Sequence, residues 1–179
     1  TTSPAPASTS AAAVATPEEV DTPVPVTGPR RGGTIKVGII DSGSLDPAVA
    51  GLSQGEGPFS ELVYDNLVGY DYNGVDILPD VLRSWEVSED LTTYTWHLQE
   101  GVKFHHGPEL KSADVKFTLN RVLDPATASP IQGGIDFFKT ITVLDDYTLE
   151  IELDGPNTAL VGLMTDYHIR LIPDGITND

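Results

Sequence analysis

The sequence contains no cysteine, which removes disulfides, thiolate nucleophiles and thiolate metal sites. Its single methionine is Met164, so Thr1 is not a translation start, and the N-terminus is expected to arise from processing or from the choice of cloning boundary. There is no apolar run approaching the roughly 18 residues that a membrane-spanning helix requires. Positive charge is scarce: ten Lys and Arg stand against 27 Asp and Glu, a formal charge of −17. Residues 1–33 contribute only −1 of this, through Glu18, Glu19 and Asp21 against Arg30 and Arg31, which leaves −16 on the remainder. Such a surface repels phosphate backbones and anionic headgroups, so nucleic acid is not an expected partner.

The catalytic signatures are missing too. The chain has no P-loop, GxGxxG or HExxH, and its one GxSxG match, Gly51–Gly55, falls in a Gly/Ser-rich loop rather than at a strand-to-helix elbow, so an enzyme is not expected. Four histidines, His97, His105, His106 and His168, are the only nitrogen ligands for a transition metal. Adjacent histidines on a strand point to opposite faces, which favours a structural part for His105 and His106 and predicts no metal site. The stretch DYNGVD offers Asp71, Asn73 and Asp76 as oxygen donors but lacks the sixth-position glycine and the distal bidentate glutamate of a calcium loop. Asp145-Asp146 reads as a solvated turn. No cofactor is expected.

What is present divides in two. From Thr1 to about Val26 the chain is Ala, Pro, Ser and Thr with no hydrophobic period, a composition that buries too little apolar surface to offset the entropy of ordering its backbone. Residues 1–33 therefore read as a low-complexity linker, and residues 34–179 as one modest folded unit.

Within that unit, Ile35, Val37 and Ile39 alternate with Thr34, Lys36 and Gly38 as a half-buried strand does, and a long Gly/Ser/Asp/Pro loop follows. Pro58 suits a first helical turn; Phe59, Leu62, Val63 and Leu67 share one side at helical spacing, and Gly69 suits the cap after the last turn. Asn73-Gly74 signals a two-residue hairpin. Trp85 and Val87, then Tyr94, Trp96 and Leu98, alternate with polar residues around Ser88-Glu89-Asp90, predicting a second hairpin whose inward face continues at Val102 and Phe104. Ser112 is placed to cap a helix carrying Val115, Leu119 and Val122 on one face and ending before Pro125. Ile141 and Val143, then Leu149, Ile151 and Leu153, form a third hairpin about Asp145-Asp146. Asn157 can cap a short helix through Thr165, and HIRLIPDG suits a last short strand.

Four stretches in order, GGTIKVGIIDSGSLDPA, LVYDNLVGYDYNGVDILPDVLRSWEVSEDLTTYTWHLQEGVKFHHG, LKSADVKFTLNRVLDPATASP and ITVLDDYTLEIEL, together resemble the N-terminal part of the family 5 extracellular solute-binding proteins of ABC importers, over about residues 32–173. The turn usually reads K-F-H-D-G in that family, so His106 stands in place of an aspartate. The resemblance implies an α+β, periplasmic-binding-protein-like (type II) fold, of which this chain holds a partial first lobe with its inserted subdomain of hairpins and short helices. It implies a clamp whose two lobes close on a small solute, a peptide or another, and whose closed form is read by an ABC permease. The second lobe, or a partner chain, is then a required companion. Two places correspond to ligand contacts in some members: the loop at Leu52, Ser53 and Gln54, and the position after Ala128-Ser129-Pro130, where peptide binders present an aromatic and this chain has Ile131. Placement is expected to be extracytoplasmic, with membrane contact only through a lipid anchor upstream of the linker. The other expectation is a structural or interaction subunit docking on a larger extracellular or membrane complex, which the absent second lobe would suit.

Overall fold

The structure, a computed structural model, describes residues 32–36, 45–49 and 56–176, without the side chains of 56–59. Residues 32–36 form a unit apart from the rest, have no regular secondary structure and are exposed. Val37 and Ile39 of the expected first strand lie outside the described residues.

Alternation builds the centre of the second unit. Strands β3 (Leu82–Val87), β4 (Thr93–Leu98), β5 (Phe138–Asp145) and β6 (Thr148–Leu153) form an antiparallel sheet in the order β3-β4-β6-β5. The register sets Trp85, Trp96, Leu149 and Val143 in one row and Val87, Tyr94, Ile151 and Ile141 in the next. Every second residue along each strand therefore faces one layer. In the central strands Tyr94, Trp96, Leu98, Leu149, Ile151 and Leu153 are buried, while Val87 and Val143 on the outer strands stay about 40% exposed. The two hairpins predicted from the alternations around Trp85–Trp96 and Ile141–Ile151 are present. The β3–β4 turn is closed by Ser88, whose Oγ accepts from the Thr93 N–H at 2.9 Å, and by Leu91 in the left-handed region at φ 60°.

Helix α2 (Ser112–Leu123) lays Val115, Leu119 and Val122, all fully buried, against β5 and β6. The expected cap is displaced by one residue: Lys111 occupies the N-cap position, its N–H donates to Asp114 Oδ2 at 2.8 Å, and Ser112 is buried inside the first turn. Beyond Asp124, in extended conformation, Pro125 ends the helix as predicted.

Three further expectations need correction. Helix α1 (Glu56–Val63) stops six residues before Gly69, which lies instead in β1 (Val68–Tyr70), paired with β2 (Ile77–Pro79). Leu67 is buried but sits beyond the helix, and Leu62 is 78% exposed. The β1–β2 hairpin exists, with Asp71–Asp76 as its connection rather than a two-residue turn. Asp71 accepts from the Val75 and Asp76 N–H groups at 2.8 and 3.2 Å and from Asn73 Nδ2 at 2.9 Å, and these donors hold its carboxyl below the usual range. The Asp71 carboxylate therefore caps its own loop. At the other end, HIRLIPDG makes no strand. A short helix α3 (Leu160–Leu163) and a single 3₁₀ turn (Tyr167–Ile169) lead to an extended stretch, in which the Leu171 N–H donates to Asp65 O. Asn157 Oδ1 accepts from the Ala159 N–H, closing the turn before α3.

Candidate functional site

Two clefts border the segment that follows the sheet. The smaller, about 210 Å³, is lined by Pro130, Ile131, Gly134, Ile135, Leu163 and Asp166. Its first wall is a loop fixed by backbone chemistry. Ala128 takes the left-handed region at φ 53°, Gln132 Nε2 donates to Leu123 O at the end of α2, and the Gly134 N–H donates to Ile131 O at 2.8 Å. The opposite wall is the end of α3 and Asp166, whose Oδ1 accepts from the His168 N–H at 2.8 Å and lies 2.6 Å from His168 Nδ1. His168 is buried, and the Asp166 side chain is 36% exposed. The arrangement is an apolar slot with one charged group.

The larger cleft, about 410 Å³, lies between the end of α1, the turn Val102–His106 and Leu171–Ile176. His105 Nε2 is 2.8 Å from Val63 O, so the ring pins the turn to the end of α1, and His106 stacks on Phe104 with centroids 5.8 Å apart. Both histidines thus hold the turn in place while lining the larger cleft. Between the two clefts, Arg170 is buried with its guanidinium 3.8 Å from Glu61 and within the fields of Asp80, Asp65 and Asp166. Burial holds the Arg170 pKa below its usual value; burial, and then Asp65, raises that of Asp80. One cation thus answers four carboxylates.

Of the residues expected to meet ligand, Ile131 lines the smaller cleft, whereas Leu52, Ser53 and Gln54 lie outside the described residues. Residues 45–49, which precede them in the chain, are held at two points. The Arg121 guanidinium makes a two-pronged ion pair with Asp46, and Tyr64 Oη donates to Leu45 O at 2.7 Å. Sequence reading did not select Gly134, Leu163 or Asp166, because the two walls of the cleft come from segments far apart in the chain. Among the described residues no group of three or more His, Asp or Glu is placed to hold a metal, and no helix is long and apolar enough to cross a membrane.

The sequence family described as bacterial extracellular solute-binding proteins, family 5 Middle, matches residues 76–178, more than half of the chain. The chain belongs to that family. Di/tripeptide-binding protein 1 of Pseudomonas aeruginosa is 38% identical over 119 residues, covering 57% of this chain and 22% of the relative. Heme-binding protein A of Haemophilus influenzae is 33% identical over 126 residues, covering 60% of this chain and 23% of the relative. Among solved structures, the periplasmic binding protein DppA of Helicobacter pylori in complex with peptide STSA superposes with a TM-score of 0.67 at 28% identity, over 76% of this chain and 30% of that one. The chain spans about a fifth of the length of these curated relatives. The fold is accordingly part of one lobe of a type II periplasmic-binding-protein-like architecture.

Proposed function

We propose that this chain is part of an extracytoplasmic receptor that captures a small solute, of the peptide class by kinship, and delivers it to an ABC importer. The family match over residues 76–178 carries this reading. Residues 34–179 are the N-terminal part of the first lobe, and residues 1–33 are a linker that tethers it through an upstream lipid anchor. Ile131, with Leu52, Ser53 and Gln54, contacts the solute.

In such a clamp each lobe supplies part of the ligand's surroundings, and affinity comes from contacts that exist only when the lobes close. A slot of about 210 Å³ falls below the roughly 300–1,000 Å³ of a pocket that encloses a drug-sized ligand. It accommodates one residue-sized apolar group, and the remaining contacts must come from elsewhere. Binding by this chain alone is therefore weak.

Ligand-observed NMR with a pool of di- and tripeptides measures this directly. Saturation transfer that Ile131→Asp abolishes is the expected result. No transfer from any peptide, or transfer indifferent to Ile131→Asp, would overturn the assignment of this cleft to solute.

A further inference from the structure

We infer that Asp166 makes the Ile131 cleft selective for solutes that carry a positively charged group beside a short apolar one. This deepens, and rests on, the reading of that cleft as a solute subsite. Five of the six lining residues, Pro130, Ile131, Gly134, Ile135 and Leu163, offer no charge, so the Asp166 carboxylate is the sole ionic group there and no lining cation competes for it. His168 occupies only Oδ1, through its N–H and Nδ1. Among the described residues no side chain or N–H donates to Oδ2, on a side chain that is 36% exposed.

The surroundings strengthen the bias. Arg170, which is buried, shares its field among Glu61, Asp65, Asp80 and Asp166, so these carboxylates outnumber it. A solute ammonium meeting Asp166 therefore gains attraction, while a carboxylate is repelled. The anchoring of Asp166 also matters. Its double contact to His168 fixes the carboxylate before ligand arrives, so little side-chain entropy is lost on binding.

Three probes with one branched apolar body isolate the charge: isoamylammonium, isoamyl alcohol and isovalerate. Each is titrated into the full chain, and chemical-shift changes of the isotope-labelled protein are followed. A partly exposed pair contributes modestly, so the ammonium is expected to bind roughly threefold to fivefold tighter than the alcohol, with isovalerate weakest. Asp166→Asn, which keeps an oxygen to accept from the His168 N–H, should bring ammonium and alcohol together. Gly134→Lys provides an independent route. A Cβ at Gly134 would meet no heavy atom within 4 Å, and a lysine there would offset the Asp166 charge without altering that residue. It too should remove the preference for the ammonium.

If all three probes bind alike, or if Asp166→Asn and Gly134→Lys both leave the order unchanged, charge selection is wrong while the cleft stands as an apolar subsite. If none shifts the residues around Ile131, the subsite reading itself fails and this inference goes with it.

Discussion

The four-stranded sheet and the segment from Gly155 to Ile176 are held by opposite kinds of contact. In the sheet, each buried residue meets partners that the strand period puts opposite it: Trp96 faces Trp85 on one side and Leu149 on the other. The later segment has no ladder. Its backbone is tied at separated points by side chains from elsewhere: Asn66 Nδ2 to Thr165 O at 3.0 Å, the Ile172 N–H to Thr118 Oγ1 at 3.2 Å, and the Asp174 N–H to Asp114 Oδ1 at 2.7 Å. The sheet is thus a repetitive, cooperative body, and the segment is a strap fastened to it. Both clefts open along the strap, at Leu163 and Asp166 on one side and at Leu171–Ile176 on the other. Surfaces that must accommodate a ligand fall where the backbone is irregular and a rigid body stands behind it.

The sharpest way to break this contrast is to damage the sheet. Trp96 is fully buried at the centre of β4, and Trp96→Ala leaves a cavity that neighbouring strands cannot fill without losing register. A loss of about 3–5 kcal/mol in unfolding free energy is expected, read from urea denaturation. A loss below about 1 kcal/mol would mean that the sheet is not the cooperative centre.

A smaller change should act on the strap. Thr118 is buried on α2, and its Oγ1 accepts the Ile172 N–H. Thr118→Val keeps the volume and removes the acceptor, leaving a buried donor unpaired at a cost of about 1–3 kcal/mol. Hydrogen exchange should quicken at Arg170–Ile172 far more than in β4 and β6. Equal acceleration in both would show that strap and sheet unfold as one.

This division also explains what could be read from the amino acids alone. The hairpins at Trp85–Trp96 and Ile141–Ile151, and the helix bearing Val115, Leu119 and Val122, announce themselves because their burial follows a period of two or of 3.6. Leu67 misleads because its burial at helical spacing from Val63 comes from tertiary packing after α1 has ended. Gly69, neutral between cap and strand, takes the strand because Leu78 pairs with it. The apolar run Ile169, Leu171 and Ile172 suggests a strand, yet its single bond to Asp65 builds no ladder among the described residues. Ile131 came into view only through kinship. Asp166, facing it from more than thirty residues away, has no local pattern to give it away.

The smallest expected effect lies at the corner that joins sheet to helix. Tyr147, in the β5–β6 turn, donates its hydroxyl to Glu109 Oε1 at 2.6 Å, the Gly101 N–H donates to the same oxygen at 2.7 Å, and Lys111 Nζ lies 3.3 Å from Oε2. The Tyr147 bond foremost, then Gly101 and Lys111, lower the Glu109 pKa to about 2. Because the folded value lies below the roughly 4.3 of a free glutamate, the stability this carboxylate adds is complete above that pH and is lost as pH falls toward 2. Glu109→Gln should therefore flatten part of the acid limb of a plot of Tm against pH and leave the curve near neutrality parallel to that of the parent. The change stays small for two reasons: solvent screens a side chain that is 33% exposed, and Asp71, Asp90 and Asp145, also held low by hydrogen bonds, keep their own shares of the limb. Lys111 Nζ also donates to Tyr147 Oη and lies over its ring, so an acid limb identical in Glu109→Gln and the parent would mean that this corner is held by packing and that contact instead, and that acid weakens sheet and strap alike.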